Sequence, residues 1–299
     1  MLPDFEYYRV QSIAEAVQLL AGYRGEAKIL GGGTDLLLQM EQGNIWGNQC
    51  PKHLVSVRGA TSLDYIRLQD GDILIGSNVT HREAETSLLI QKELSALHDA
   101  TCQVGSVQIR NVATIAGNIC NAAPSADTAA PLLALGAMVK AVGPQGERSI
   151  ALSDFYRGPG QTVLATDEIV REISVPRRPS FTGSAYIKLS RRKAMDLALL
   201  GVAAYVCLEA DRIHVKEVRI GLNTAAPTPI RVCKAESVLK GVRLSDGVLN
   251  EAASAAAREA SPRSSFRSTS EYRREMVRVL VRRSLLTALG RLKGLIRQA

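Results

Sequence analysis

The chain has 299 residues, 46% hydrophobic and 22% charged, an ordinary soluble composition with length for two domains or one large one with subdomains. Its net charge of +8 is concentrated in the last forty or so residues, and only 4% of the chain is aromatic, so a nucleic-acid-binding surface with stacking platforms is not expected. No apolar run approaches the roughly 18 residues of a membrane span, and the scattered cysteines and four histidines fit no disulfide framework, zinc site or iron–sulfur site.

The N-terminus, MLPDFEYYRV, is acidic and aromatic where a signal peptide would be basic and then apolar, so a cytoplasmic protein is expected. SIAEAVQLLAGY predicts a first helix, capped by Ser12 with Glu15 three residues on. AKIL predicts a short buried strand running into three glycines; LLLQMEQG continues as helix or extended chain, and HLVSV is a second strand. GDILIGSNVT follows a DG turn signal, and HREAETSLLIQKELSALHDATCQV carries helical periodicity throughout. After a small, polar stretch, an alanine/leucine helix begins at Asp127 or Thr128, with Pro131 in its first turn. AMVKAVGPQGERSI reads as a hairpin and DEIVREISVP as a strand ending at Pro176. VPRRPSFTGS marks the boundary between a domain of residues 1–176 and a C-terminal α+β domain of 177–299. The latter holds antiparallel strands in SAYIKLS, ALLGVAAYVCLEA and IHVKEVRIGLN, then two helices, the last amphipathic with a basic face.

Chemistry is concentrated in two glycine-containing loops. A strand stopping at GGGTD presents successive backbone N–H groups with no Cβ in the way, a nest suited to a phosphate, with Thr34 and Asp35 adding polar side chains. It is neither a Walker A motif nor a GxGxxG dinucleotide fingerprint. TIAGNICNAAPSAD supplies Gly117 together with Thr114, Asn118, Ser125 and Asp127. A pair of such loops is what an extended ligand with a central diphosphate requires; a plain tight turn remains the alternative for either loop alone.

KILGGGTDLLLQ, QIRNVATIAGNICNAAPSADTAAPLLAL, DEIVREISVP, AYIKLSRRKAMDLALLGVAA, AAPTPIR and SPRSSFRSTSEYR together resemble the FAD-binding (medium) subunits of the molybdenum hydroxylases, over nearly the whole chain. The resemblance is greatest to the branch serving bacterial xanthine dehydrogenases, chiefly through RGPGQT, AAPTPIR and SPRSSFR. It implies an α+β fold, a vanillyl-alcohol-oxidase-type FAD domain of two subdomains followed by a CO-dehydrogenase-flavoprotein-type domain, with non-covalent FAD between them. It further implies that Lys28, Ile29, Leu30, Gly31, Gly32, Gly33, Thr34 and Asp35 wrap the FAD diphosphate, the glycines bare because a Cβ would take the ligand's space. Thr114, Ile115, Ala116, Gly117 and Asn118 would form the second loop, and Asp127 would bond the flavin's polar side chain. Ile169 and Val170 would sit against the isoalloxazine or fix it by backbone contacts. Lys188 is either a cation near the ring or a solvated strand lysine.

The same resemblance implies an electron-transfer role. Partners would be a molybdopterin-binding large subunit and a small subunit with two [2Fe–2S] clusters, in a dimer of heterotrimers. Electrons would pass from the clusters through FAD to NAD⁺, and no catalytic acid, base or metal ligand is expected on this chain. Two departures stand out: Val104 occupies the place where some relatives stack an aromatic residue on the flavin, and no cysteine-rich insertion follows GNICNAAPSAD. The FAD subunit of a nicotinate-, aldehyde- or CO-dehydrogenase-like enzyme, a self-contained flavin oxidoreductase, and a basic nucleotide-binding module are the other readings.

Overall fold

Residues 1–43 and 50–298 are described by a computed structural model. The content is 37% helix and 28% strand, held in separate sheets and helical layers, which makes the fold α+β.

The first layer comprises β1 (Glu6–Arg9), α1 (Ile13–Gly22), β2 (Ala27–Leu30), α2 (Leu36–Glu41) and β3 (His53–Ser56). α1 begins where expected: Ser12 Oγ accepts from Glu15 N at 3.2 Å, and the Glu15 carboxylate accepts from Gln11 N at 2.8 Å. Its Ala16, Val17 and Leu20 are buried against a small core with Val55 and Val57. The strands pair parallel in the order β1-β3-β2, so all their C-terminal ends lie along one edge. The glycine run after β2 and the Val57–Gly59 turn after β3 therefore leave the sheet side by side.

Next come β4 (Ile66–Gln69) and β5 (Asp72–Gly76), joined by Asp70 and Gly71, both at positive φ, as the DG signal predicts. HREAETSLLIQKELSALHDATCQV does not form one helix. It divides into α3 (His81–Thr86), α4 (Leu88–Glu93) and α5 (Ser95–Thr101), because Ser87, in extended conformation, ends the first and caps the second through its hydroxyl. The short α6 (Val107–Arg110) and α7 (Ile115–Cys120) follow, then α8 (Ala129–Leu135), which starts after Thr128 with Pro131 in its first turn. The hairpin β6 (Met138–Gly143) and β7 (Gly146–Ala151), the small hairpin β8 (Tyr156–Gly158) and β9 (Gln161–Thr162), and β10 (Ile169–Pro176) complete this part. An antiparallel sheet runs β4-β5-β10-β6-β7 and shares the largest core with α5, α7 and α8.

A second antiparallel sheet contains β11 (Thr182–Leu189), β12 (Leu200–Leu208), β13 (Val215–Asn223) and β14 (Ile230–Arg231), in that order. α9 (Cys233–Leu239), α10 (Asp246–Glu259) and α11 (Ser270–Gln298) then pack against it. Every residue of β12 is buried, because Ala203, Tyr205 and Cys207 join the first core while Val202, Ala204 and Val206 join the second. The sheet is thus a shared wall. α8 crosses it so closely that a Cβ on Gly221 would overlap the carbonyl oxygen of Ala130.

Candidate cofactor site

At the end of β2 the chain turns through Gly31, Gly32 and Gly33, the last at φ +73°, and enters α2 behind Asp35. Among the described residues no hydrogen-bond acceptor receives the N–H groups of Gly31 through Asp35, and the side chains of Thr34 and Asp35 are likewise unbonded. Such a run of uncommitted amides beside an αL turn can donate to anionic oxygens. The bareness of Gly32 has a cause within the protein itself. Its Cβ would overlap Val112 O and come within 2.6 Å of Ala113 Cα, so the backbone leading into the second loop by itself forbids a side chain there.

The two loops are therefore clasped. Arg58, from the turn after β3, donates to Val112 O at 2.8 Å and reaches Gly31 O at 3.4 Å. Gln39 Nε2 donates to Asn121 Oδ1 at 3.0 Å, tying α2 to the end of α7. Thr114 caps α7 by accepting from Gly117 N at 2.9 Å, and its Oγ1 lies within 3.1 Å of where a Gly31 Cβ would stand. Ile115 N donates to Val79 O at 3.1 Å, so Ile115 and Ala116 are buried supports. Asn118 Oδ1 accepts from Thr128 Oγ1 at 2.6 Å, which fixes the loop to the start of α8.

Asp127 and Lys188 meet across the wall. Lys188 Nζ is 2.8 Å from Asp127 Oδ2 and donates to Gln103 O at 3.0 Å; its side chain is only 4% exposed, which overturns the solvated alternative. Asp127 Oδ1 accepts from Tyr186 Oη at 2.9 Å. Each carboxylate oxygen of Asp127 is thereby engaged with one protein group. Asn223 Nδ2 closes the cluster, donating to Tyr186 Oη at 3.2 Å and to Ala126 O at 3.1 Å. Burial pushes the Asp127 carboxyl above its ordinary value, while the Lys188 charge and the two hydrogen bonds pull it back. Burial and the neighbouring Asp127 push the Tyr186 phenol far up, so it stays a proton donor.

The remaining expected residues are less concentrated. Val104 is buried in the turn next to Gln103, close to Lys188, and its carbonyl accepts from Arg110 at 3.1 Å. Lys28 is exposed on β2, while Ile29 and Leu30 pack into two separate small cores. Ile169 and Val170 open β10 with their side chains in different cores, Ile169 with α1 and Val170 with the main core, and both pair with β6. Sequence reading missed Arg58, Tyr186 and Asn223: Arg58 lies outside the quoted motifs, Tyr186 sits in AYIKLS beside Lys188 without being singled out, and Asn223 closes a strand.

Residues 3–178 match the family described as the FAD binding domain in molybdopterin dehydrogenase, and residues 185–288 match the CO dehydrogenase flavoprotein C-terminal domain. The xanthine dehydrogenase FAD-binding subunit of Escherichia coli O157:H7 is 35% identical over 97% of this chain and 98% of its own. This chain belongs to the FAD-binding medium-subunit family of the molybdenum hydroxylases. A second medium subunit, the carbon monoxide dehydrogenase medium chain of Afipia carboxidovorans, is 33% identical over 98% of this chain and 100% of its own. Among solved medium-subunit structures, carbon monoxide dehydrogenase from Hydrogenophaga pseudoflava superposes with a TM-score of 0.92 at 32% identity, covering 97% of this chain and 99% of the other. No metal-binding group of His, Cys, Asp or Glu occurs among the described residues, and no described helix is long and apolar enough to cross a membrane.

Proposed function

We propose that this chain is the FAD-carrying electron-transfer subunit of a xanthine-dehydrogenase-type molybdenum hydroxylase, with NAD⁺ as acceptor. The observation that carries the reading is the clasp of two loops at the C-terminal edge of a parallel sheet, leaving the amides of Gly31 through Asp35 unbonded. That edge is where open sheets with parallel strands bind ligands. The amides fit a diphosphate, and the residue 28–35 and 114–118 segments would enclose it. When bound, FAD supplies exchange between one-electron and two-electron carriers.

The chain's own residues bind, orient and tune. Thr114 and Asn118 hold the second loop in shape through Gly117 N and Thr128. Lys188, held in place by Asp127 Oδ2 and Gln103 O, would favour added negative charge on a neighbouring ring. Asp127 acts as the cation's anchor, held in place by Tyr186. The molybdenum centre and [2Fe–2S] clusters would reside on a large and a small partner subunit. Substrate selection then lies off this chain, and the similar identity of the CO dehydrogenase medium chain favours a CO-, nicotinate- or aldehyde-type enzyme as the second reading.

Purification of the chain alone, followed by flavin analysis and an NADH–dye assay, tests this. Bound FAD with NADH oxidation and no xanthine turnover is expected, xanthine turnover appearing only with the partner subunits. A colourless protein that takes up no FAD would refute the cofactor reading; flavin loading without NADH oxidation would refute only the acceptor.

A further inference from the structure

Beyond the two glycine loops, the turn leading into α11 gathers positive charge. In SPRSSFRST (261–269) the chain folds back on itself, Ser265 and Ser268 exchanging backbone hydrogen bonds of 2.9 and 3.2 Å. Arg273, in the first turn of α11, is 4% exposed. Its Nη2 donates to Ser265 Oγ at 2.9 Å, but its Nε is enclosed without an acceptor among the described residues. Arg263 and Arg267 stand near enough that their charges, added to burial, disfavour the Arg273 cation. Arg267 rests over the ring of Phe266 at 4.4 Å, and that ring is 85% exposed.

The described residues provide no counter-ion. None of Arg263, Arg267 and Arg273 makes an ion pair among the described residues. Nearby carboxylates are engaged elsewhere: Glu271 accepts from Ser270 Oγ at 2.7 Å and Glu275 pairs with Arg278. Helix amides are not the attraction either, since Ser270 N donates to Ser264 Oγ at 2.9 Å and Tyr272 N to Thr269 Oγ1 at 3.2 Å. What remains is guanidinium donors of like charge with one nearly buried member, an arrangement an oxyanion with several acceptor oxygens would satisfy at once.

We propose that Arg263, Arg267 and Arg273 form a binding site for a phosphate group. The buried, hydroxyl-anchored Arg273 fixes the base of the site, and Arg263 and Arg267 close over the anion from the exposed side. The group belongs either to free phosphate or to a nucleotide, for which the exposed Phe266 ring would serve as a stacking surface. Arg273 lies near the start of α11, roughly 27 Å along the helix from Arg291, which is bonded to α5.

The test uses the full-length, FAD-saturated chain, so that the glycine loops are already filled. Thermal unfolding is followed against inorganic phosphate and, separately, adenosine monophosphate, with chloride at equal ionic strength as control. Wild type is expected to show a saturable rise in Tm with phosphate and none with chloride. Arg263→Gln and Arg267→Gln, both of accessible residues, should weaken the apparent affinity about tenfold each, in line with loss of one charge-assisted bond. Tighter binding of the monophosphate would assign a nucleotide, and equal binding free phosphate. The proposal is overturned if phosphate acts no better than chloride, or if both variants bind it like wild type. It also fails if Arg263→Glu abolishes assembly with the partner subunits while the free wild-type chain ignores phosphate, which would make the cluster a protein-docking surface.

Discussion

Lys188 Nζ stands 2.8 Å from Asp127 Oδ2, joining a strand of the C-terminal sheet to the loop before α8, with both side chains at most 10% exposed. Neither charge is tolerable alone at that depth. Lys188→Met is expected to destabilise the fold by about 3–5 kcal/mol by stranding Asp127, and the double variant with Asp127→Asn should recover much of that. Chemical denaturation of the two singles and the double measures the coupling. In FAD-loaded protein, Lys188→Met should also lower the flavin's reduction potential by roughly 30 mV for each 1.4 kcal/mol of lost anion stabilisation.

Gly32 and Gly33 should respond differently to alanine. At Gly32 the new Cβ meets the rigid backbone of Val112 and Ala113, whereas at Gly33 it meets the movable ends of Leu30 and Leu37 at 3.1 Å. Gly32→Ala therefore pries the loops apart and should abolish flavin retention. Gly33→Ala costs about 1–2 kcal/mol for its αL backbone and should only weaken retention. Flavin content after gel filtration ranks the two; the reverse order would contradict the clasp.

Arg58 is exposed at the edge of the clasp, yet its guanidinium holds carbonyls from both loops. Arg58→Met should raise the FAD dissociation constant about tenfold, equivalent to about 1.4 kcal/mol, with little change in melting temperature. Fluorescence titration of the apoprotein reads this directly.

His81 sets an acid limit. Its ring is fully buried with neither nitrogen bonded among the described residues, and burial, followed by the Arg110 charge, brings its pKa down to about 4. The unfolded chain takes up that proton near pH 6.5 and the folded one only near pH 4. The stability it contributes is thus complete above pH 6.5 and lost as pH falls through this window, by up to about 1.4 kcal/mol per pH unit. His81→Leu should flatten that slope in denaturation curves measured between pH 7 and 4. Because His81 N donates to Ala113 O at 2.9 Å, flavin release should accompany the acid transition.

Features set by local patterning are legible in the amino-acid sequence alone: the Ser12 cap, the DG turn, AKIL running into glycine, and the hairpin at residues 138–151. The helical segment from His81 onward shows where such reading stops. Ala84, Ile90, Leu97 and Ala100 keep an apolar rhythm across its breaks, so the changes of direction at Ser87 and Leu94 leave no trace in the periodicity. In the site, glycine runs advertise themselves, but Arg58 is a single arginine in SVRGATS. Tyr186 and Asn223 meet only because β12 places Gly201 between their strands, where a Cβ would overlap both side chains. That opening is a property of strand register, which a single sequence does not display.

The clamp towards the far end of α11 bears on how the molecule is made. Arg291 grips Asp99 with two hydrogen bonds of 2.7 and 2.8 Å and also donates to Ser184 O at 2.8 Å, while Asp99 accepts from Tyr186 N at 3.0 Å. The strand that delivers Tyr186 and Lys188 is therefore braced by a residue far downstream of it, near the end of the final helix. During synthesis that brace leaves the ribosome after every other part of the pocket has emerged, so tight flavin uptake must wait for the last turns of α11 to be delivered.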